Sequence, residues 1–154
     1  MFGSFDEGLT PDLPFFYYLH HMMFSRLYVW AGRPRTVGIS KGSTPFCLPQ
    51  NIDAMMTALF AELEGERWLV GLDLESFIAR AAYYVCEVNA VHPFREGNGR
   101  AIRFYIDVLS AKSRGDIFDW TRADAREYLA ACIEGFNQDY SKMRAILTDC
   151  ADAG

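Results

Sequence analysis

Apolar residues recur at helical spacing along almost the whole chain, and six stripes can be read from them. The first runs Phe15, Phe16, Leu19, Met22, Met23, Leu27, Trp30. The second, Ile52, Met55, Met56, Leu59, Phe60, Leu63, follows Asn51, whose side chain suits an N-cap. The third, Phe77, Ile78, Ala81, Tyr84, Val85, Val88, follows Asp73, a second capping residue. A fourth, Ala101, Ile102, Tyr105, Val108, Leu109, stops near Gly115. Two more follow: Ala125, Tyr128, Leu129, Cys132, Ile133, Phe136, then Tyr140, Met143, Ile146, Leu147. Six amphipathic helices around one core predict an all-α fold. The exception lies between residues 35 and 48. There Thr36-Val37-Gly38-Ile39-Ser40 alternates, Lys41-Gly42-Ser43-Thr44 has turn chemistry, and Pro45-Phe46-Cys47-Leu48 returns. This predicts a short β-hairpin, and Pro45 assigns it to an edge or flap because it cannot donate in a central ladder.

Composition narrows the class. A length of 154 residues with 51% hydrophobic content fits a single domain over residues 1–154, with no repeat, low-complexity stretch or dividing linker. A formal charge of −5 disfavours a nucleic-acid partner, yet leaves room for a local nucleotide site. The four cysteines, Cys47, Cys86, Cys132 and Cys150, form no C-x-x-C pair, so reduced and mostly buried thiols are expected, with exposure open at Cys47 and Cys150. The N-terminus carries Asp6, Glu7 and Asp12 where a secretory signal would be basic and then apolar. The longest apolar stretches are interrupted by His20, His21 and Arg26, or by Arg80, Glu87 and Asn89, so no membrane span is expected. The expected location is the cytoplasm, with delivery into another cell left open.

The chemistry concentrates in His92-Pro93-Phe94-Arg95-Glu96-Gly97-Asn98-Gly99-Arg100, continued by Arg103. Pro93 disfavours helical geometry at His92 and ends the third helix. Gly97 and Gly99 permit backbone conformations and close approaches that other residues do not. A turn of this kind running into a helix aims several unpaired N–H groups at one point, where the helix dipole adds to their attraction for an anion. Arg100 and Arg103, three apart, share a face and can flank a polyphosphate. Glu96 is a hard oxygen ligand suited to Mg²⁺, which takes one or two carboxylates plus phosphate oxygens and water. His92 supplies a proton acceptor near neutral pH. Base, carboxylate, amide nest and two arginines together suit phosphoryl-type transfer.

The same segment resembles the signature H-P-F-x-D/E-G-N-G-R-x-x-R of Fic-domain enzymes, which is met at every specified position. Trp30-Ala31-Gly32 with Arg35-Thr36-Val37-x-Ile39-Ser40-Lys41-Gly42 is similar to the family's flap hairpin, and the likeness runs from about Phe15 to Leu147. The resemblance implies a protein adenylyltransferase that moves AMP from ATP to a target hydroxyl. His92 would deprotonate that hydroxyl and Glu96 would hold Mg²⁺. Backbone amides of Gly97, Asn98 and Gly99 would form the anion nest, Asn98 also binding through its side chain. Arg100 and Arg103 would neutralise the outer phosphates, and Phe94 would be buried to fix the loop. The flap residues Val37, Gly38, Ile39, Ser40 and Lys41 would pair with an extended target segment. The kinase-like branch of the family has lysine where Gly99 stands, so glycine favours AMP transfer. Asp107, four residues beyond Arg103, is expected to align its guanidinium, and His20 and His21 are assigned to a solvated or partner-facing surface.

Such enzymes are commonly inhibited by a helix of pattern S/T-x-x-x-E-G/N, whose glutamate pairs with the second arginine, here Arg103. Ser4-Phe5-Asp6-Glu7-Gly8 is one residue short, and Ala130-Ala131-Cys132-Ile133-Glu134-Gly135 has alanine in place of Ser or Thr. The expectation is therefore a toxin of a toxin–antitoxin pair, or an effector, restrained by a separate antitoxin-like protein. By the same resemblance its target would be a type II topoisomerase ATPase subunit. The alternatives are another nucleotidyl or phosphoryl transferase on this scaffold, or a non-catalytic nucleotide-binding module.

Overall fold

The structure, a computed structural model, describes residues 8–151. Six helices are present: α1 (Leu13–Phe24), α2 (Ile52–Gly65), α3 (Leu74–Val91), α4 (Asn98–Arg114), α5 (Ala125–Phe136) and α6 (Ser141–Ala151). Between α1 and α2 lies a hairpin of β1 (Ser40–Lys41) and β2 (Thr44–Pro45), antiparallel with Ser40 opposite Pro45 and Lys41 opposite Thr44. The hairpin ladder is shorter than the alternating pattern suggested: the strands span only Ser40–Lys41 and Thr44–Pro45, with one further bond from the Phe46 amide to the Ile39 carbonyl, and Pro45 lacks an N–H. The helical class and the flap are as the sequence indicates.

Capping explains several boundaries. Asp12 accepts from the Phe15 amide, Asp73 from Ser76, and Asp124 from Arg126 and Glu127, so α1, α3 and α5 begin on carboxylates. Asn51 does not cap α2 with its side chain, since a 3₁₀ turn over Pro49–Asn51 already leads into the helix. The stripe read through to Trp30 breaks at Phe24, where the amides of Leu27 and Tyr28 both turn back to the Phe24 carbonyl. The face of α1 that is buried is Phe16, Leu19, His20 and Phe24, whereas Met22 and Met23 face outward.

α3 is the centre of the domain, packed by α2, α4, α5 and α6, while α1 lies on α4. The aromatic heart is Phe16, Phe60, Phe94 and Tyr105, with Phe16 edge-on to Tyr105 at 5.4 Å. All four cysteines are free thiols. Cys86, Cys132 and Cys150 are buried and Cys47 is half-buried, which settles the exposure left open for Cys47 and Cys150. No described helix is long and apolar enough to cross a membrane.

Candidate active site

The loop between α3 and α4 is built around one buried ring. Phe94 is fully buried, and Asn98 closes the turn under it: Asn98 Oδ1 accepts from the Phe94 amide at 2.9 Å and Nδ2 donates to the Phe94 carbonyl at 2.7 Å. The Asn98 side chain, itself buried, is thereby committed to the loop. Oδ1 and one Nδ2 hydrogen are used within the loop, so what Asn98 has left to offer a ligand is its second Nδ2 hydrogen and its backbone amide.

The second support comes from 76 residues earlier. His20 is completely buried, not on the solvated surface assigned to it. Its Nδ1 accepts from the Gly32 amide at 2.9 Å, which fixes the tautomer with the proton on Nε2, donated to the Glu96 carbonyl at 2.8 Å. The ring stacks on Phe94 with 3.7 Å between centres, and burial holds its pKa below the ordinary value. His21 does face solvent.

Gly97 shows why the loop admits no side chain. Its φ is +82°, and a Cβ there would lie 2.5 Å from Phe24 Cε2 and 3.2 Å from His20 Nε2. Gly97 begins α4 with no side-chain cap, so no carboxylate competes for the first amides of that helix as Asp12, Asp73 and Asp124 do elsewhere. Glu96 and Arg100 are exposed at this N-terminus, and Arg103 is half-buried one turn on.

Arg103 does not pair with Asp107. Asp107 accepts from the Phe118 amide and from Trp120 Nε1, both at 3.0 Å, and so ties the α4–α5 connection to α4. The guanidinium of Arg103 lies 5.2 Å over the Tyr128 ring of α5. Glu134, the glutamate of the imperfect inhibitory pattern, pairs instead with Lys142 at 2.7 Å. The N-terminal pattern Ser4–Gly8 lies outside the described residues, apart from Gly8.

His92 ends α3 in the left-handed conformation, φ +54°, which turns its side chain off the helix axis. Its Nδ1 faces the Asn89 carbonyl at 3.3 Å, leaving Nε2 as the outward nitrogen. Burial, with the positive charges of Arg35 and Lys41, lowers its pKa from 6.5 to about 4. Arg35, read in the sequence only as part of the flap segment, has a structural role there that its spacing did not reveal. It is buried, and its guanidinium donates to the carbonyls of His92 (2.7 Å), Val37 (2.7 Å), Cys47 (2.5 Å) and Val91 (3.1 Å), while its amide donates to Pro93 at 2.8 Å. One side chain thus joins both legs of the flap to the loop that carries His92. The flap residues Val37, Gly38, Ser40 and Lys41 are exposed, with Ile39 half-buried.

Residues 10–110, from the start of α1 to well into α4, match the Fic/DOC family. The chain belongs to the Fic/DOC family. Among Fic/DOC relatives, the protein adenylyltransferase VbhT of Bartonella schoenbuchensis is 37% identical over 149 residues, 94% of this chain and 31% of VbhT. The probable protein adenylyltransferase Fic of Salmonella typhimurium is 36% identical over 90% of this chain and 68% of its own length. This chain therefore spans under a third of one relative and about two thirds of the other. The Fic fold is seen again in the N-terminal FIC domain of Bep8 from Bartonella sp. 1-1C, with a TM-score of 0.87 at 22% identity over 97% of this chain and 77% of that one. BepC of Bartonella tribocorum, solved with bound AMPPNP, superimposes with a TM-score of 0.80 at 24% identity, covering 91% of this chain and 74% of BepC.

Proposed function

We propose that this chain transfers AMP from ATP to a hydroxyl side chain of another protein. The observation that carries the reading is the glycine-started, uncapped N-terminus of α4 with Arg103 lying against Gly99, one loop away from an imidazole whose Nδ1 is already engaged. The amides of Gly97, Asn98 and Gly99 would hold phosphate oxygens, and Arg100 and Arg103 would neutralise the outer phosphates. The target hydroxyl attacks the α-phosphorus, its proton passes to His92 Nε2, the bond from that phosphorus to the β-phosphate oxygen breaks, and pyrophosphate leaves. Low basicity keeps His92 unprotonated at neutral pH and so able to accept.

The donor set fits Mg²⁺. Among the described residues no group of three His, Cys, Asp or Glu side chains could hold a metal on its own, and Glu96 offers one exposed carboxylate beside the phosphate seat. That suits a cation that takes most of its ligands from phosphates and water. When bound, it would supply charge neutralisation on the triphosphate.

An acceptor segment would add to the flap at Val37, Gly38, Ile39, Ser40 and Lys41, where all but the half-buried Ile39 are exposed beside a two-stranded hairpin. Restraint by a separate antitoxin-like helix fits the pairing of Glu134 with Lys142, which leaves the internal pattern turned to another partner. The names of the relatives, protein adenylyltransferase and probable protein adenylyltransferase, support the reaction.

The test is incubation in a bacterial lysate with Mg²⁺ and ATP labelled at either the α- or the γ-phosphate, beside His92→Ala. Label entering protein from the α-position, and only with His92 present, is the expected result. Label from the γ-position would replace this reading with a kinase, and none from either position with a binding module.

A further inference from the structure

Phe46 follows β2, and its ring lies flat on the His92 imidazole, with 3.8 Å between ring centres and 7° between planes. We propose that Phe46 is a positioning residue for His92, tying the orientation of the proton acceptor to the flap; the proposal rests on the transfer reaction given above.

The left-handed turn at His92 carries its ring clear of the α3 axis, where the one ring hydrogen bond, Nδ1 to Asn89, is long at 3.3 Å. A single long bond leaves the imidazole free to swing about it. A parallel neighbour across the face limits that freedom, because any tilt of the imidazole out of its plane drives a ring edge into the stacked partner. Phe46 is itself held from three directions. Its amide donates to Ile39 across the hairpin at 3.1 Å, the next amide, Cys47, donates to Ala90 of α3 at 3.3 Å, and its ring meets Phe136 of α5 at 5.7 Å. Flap, base helix and α5 therefore converge on one ring.

The electrostatics agree. The charged groups acting on His92 are Arg35, from the segment before the flap, and Lys41, from β1, both cationic. Burial is the larger influence on its proton affinity, and the Phe46 face supplies part of that burial. A shift of the hairpin, as when an acceptor segment joins its edge, would move Phe46 and with it the direction in which Nε2 points.

The full chain with Phe46→Ala and Phe46→Tyr tests this, reading the His92 imidazole by NMR against pH alongside AMP transfer and AMPPNP affinity. Alanine is expected to raise the His92 titration midpoint from about 4 toward 6.5 and to slow transfer at saturating ATP. AMPPNP affinity should hold, since Phe46 faces the base and not the phosphate seat. Tyrosine, which keeps the flat ring, should restore both the midpoint and the rate. A folded alanine variant whose midpoint equals that of the wild type overturns the proposal; if alanine does not fold, Phe46→Leu is read on the same quantities. Should the wild type transfer no AMP while the titration still responds to Phe46, the reaction assignment falls and the stacking role stands.

Discussion

Gly99 and Arg103 are in contact: a Cβ added at Gly99 would sit 3.1 Å from Arg103 Nη1 and 3.7 Å from Cζ. A methyl group at position 99 would press the guanidinium, which lies beside Tyr128, to shift by a few tenths of an ångström. Gly99→Ala therefore separates two effects of opposite sign. Alanine favours the helix by up to about 1 kcal/mol, while the displaced guanidinium weakens the triphosphate seat. We expect an unchanged or raised Tm together with lower AMPPNP affinity, measured by calorimetry. A variant that binds as the wild type does would show that Arg103 plays no part in that seat.

His20 and His92 both have lowered pKa values, so the unfolded chain takes up protons before the folded one as pH falls below the ordinary histidine value. The stability these neutral imidazoles contribute, His20 buried and His92 half-buried, is complete above about 6.5 and is lost as pH falls toward their folded values. Urea midpoints should drop between pH 7.5 and 5. His20→Gln should flatten that dependence while costing about 1–3 kcal/mol at neutral pH, because the amide loses the ring stacked on Phe94 and must reach Gly32 and Glu96 from a different geometry. An equally steep slope in the variant would count against a neutral His20.

Arg35→Lys tests the joint between flap and loop. A point-charge ammonium cannot span the carbonyls of Val37, Cys47, Val91 and His92 that the planar guanidinium collects. Hydrogen exchange should accelerate at the amides of Phe46 and Cys47, and stability should fall by about 2 kcal/mol or more. Unchanged protection at those two amides would mean that the hairpin is held without Arg35.

Asp107→Asn gives the contrasting case. Both oxygens of Asp107 accept, from Phe118 and Trp120, and an amide keeps one acceptor and faces the other donor with a second donor. The expected cost is about 1–3 kcal/mol of stability, with ATP affinity untouched. A loss of affinity would restore the pairing with Arg103 that the 103/107 spacing suggested.

The helices, the hairpin and the 92–103 loop were legible because each is written locally: capping aspartates, periodic apolar faces, and a proline and two glycines within seven residues. What stayed hidden depends on contacts across the chain. Arg35 and His92 are 57 residues apart, and the two ends of the His20–Glu96 bond are 76 apart. His20 did leave a trace. Phe16, His20 and Phe24 recur every four residues and form the buried face of α1, whereas the stripe drawn through Met22 and Met23 had the phase wrong. Asp107 misled for the converse reason: i,i+4 spacing permits a pair with Arg103, but the returning chain at Phe118 and Trp120 competes for the same carboxylate and takes it.

The most direct measurement of the central claim is the product balance with unlabelled ATP, Mg²⁺ and an acceptor protein captured from lysate. The account predicts one pyrophosphate released for each AMP found on the acceptor by mass spectrometry, with both lost in His92→Ala and the variant still folded. Phosphate-modified acceptor with ADP as the second product, or AMP transfer that persists without His92, would contradict it.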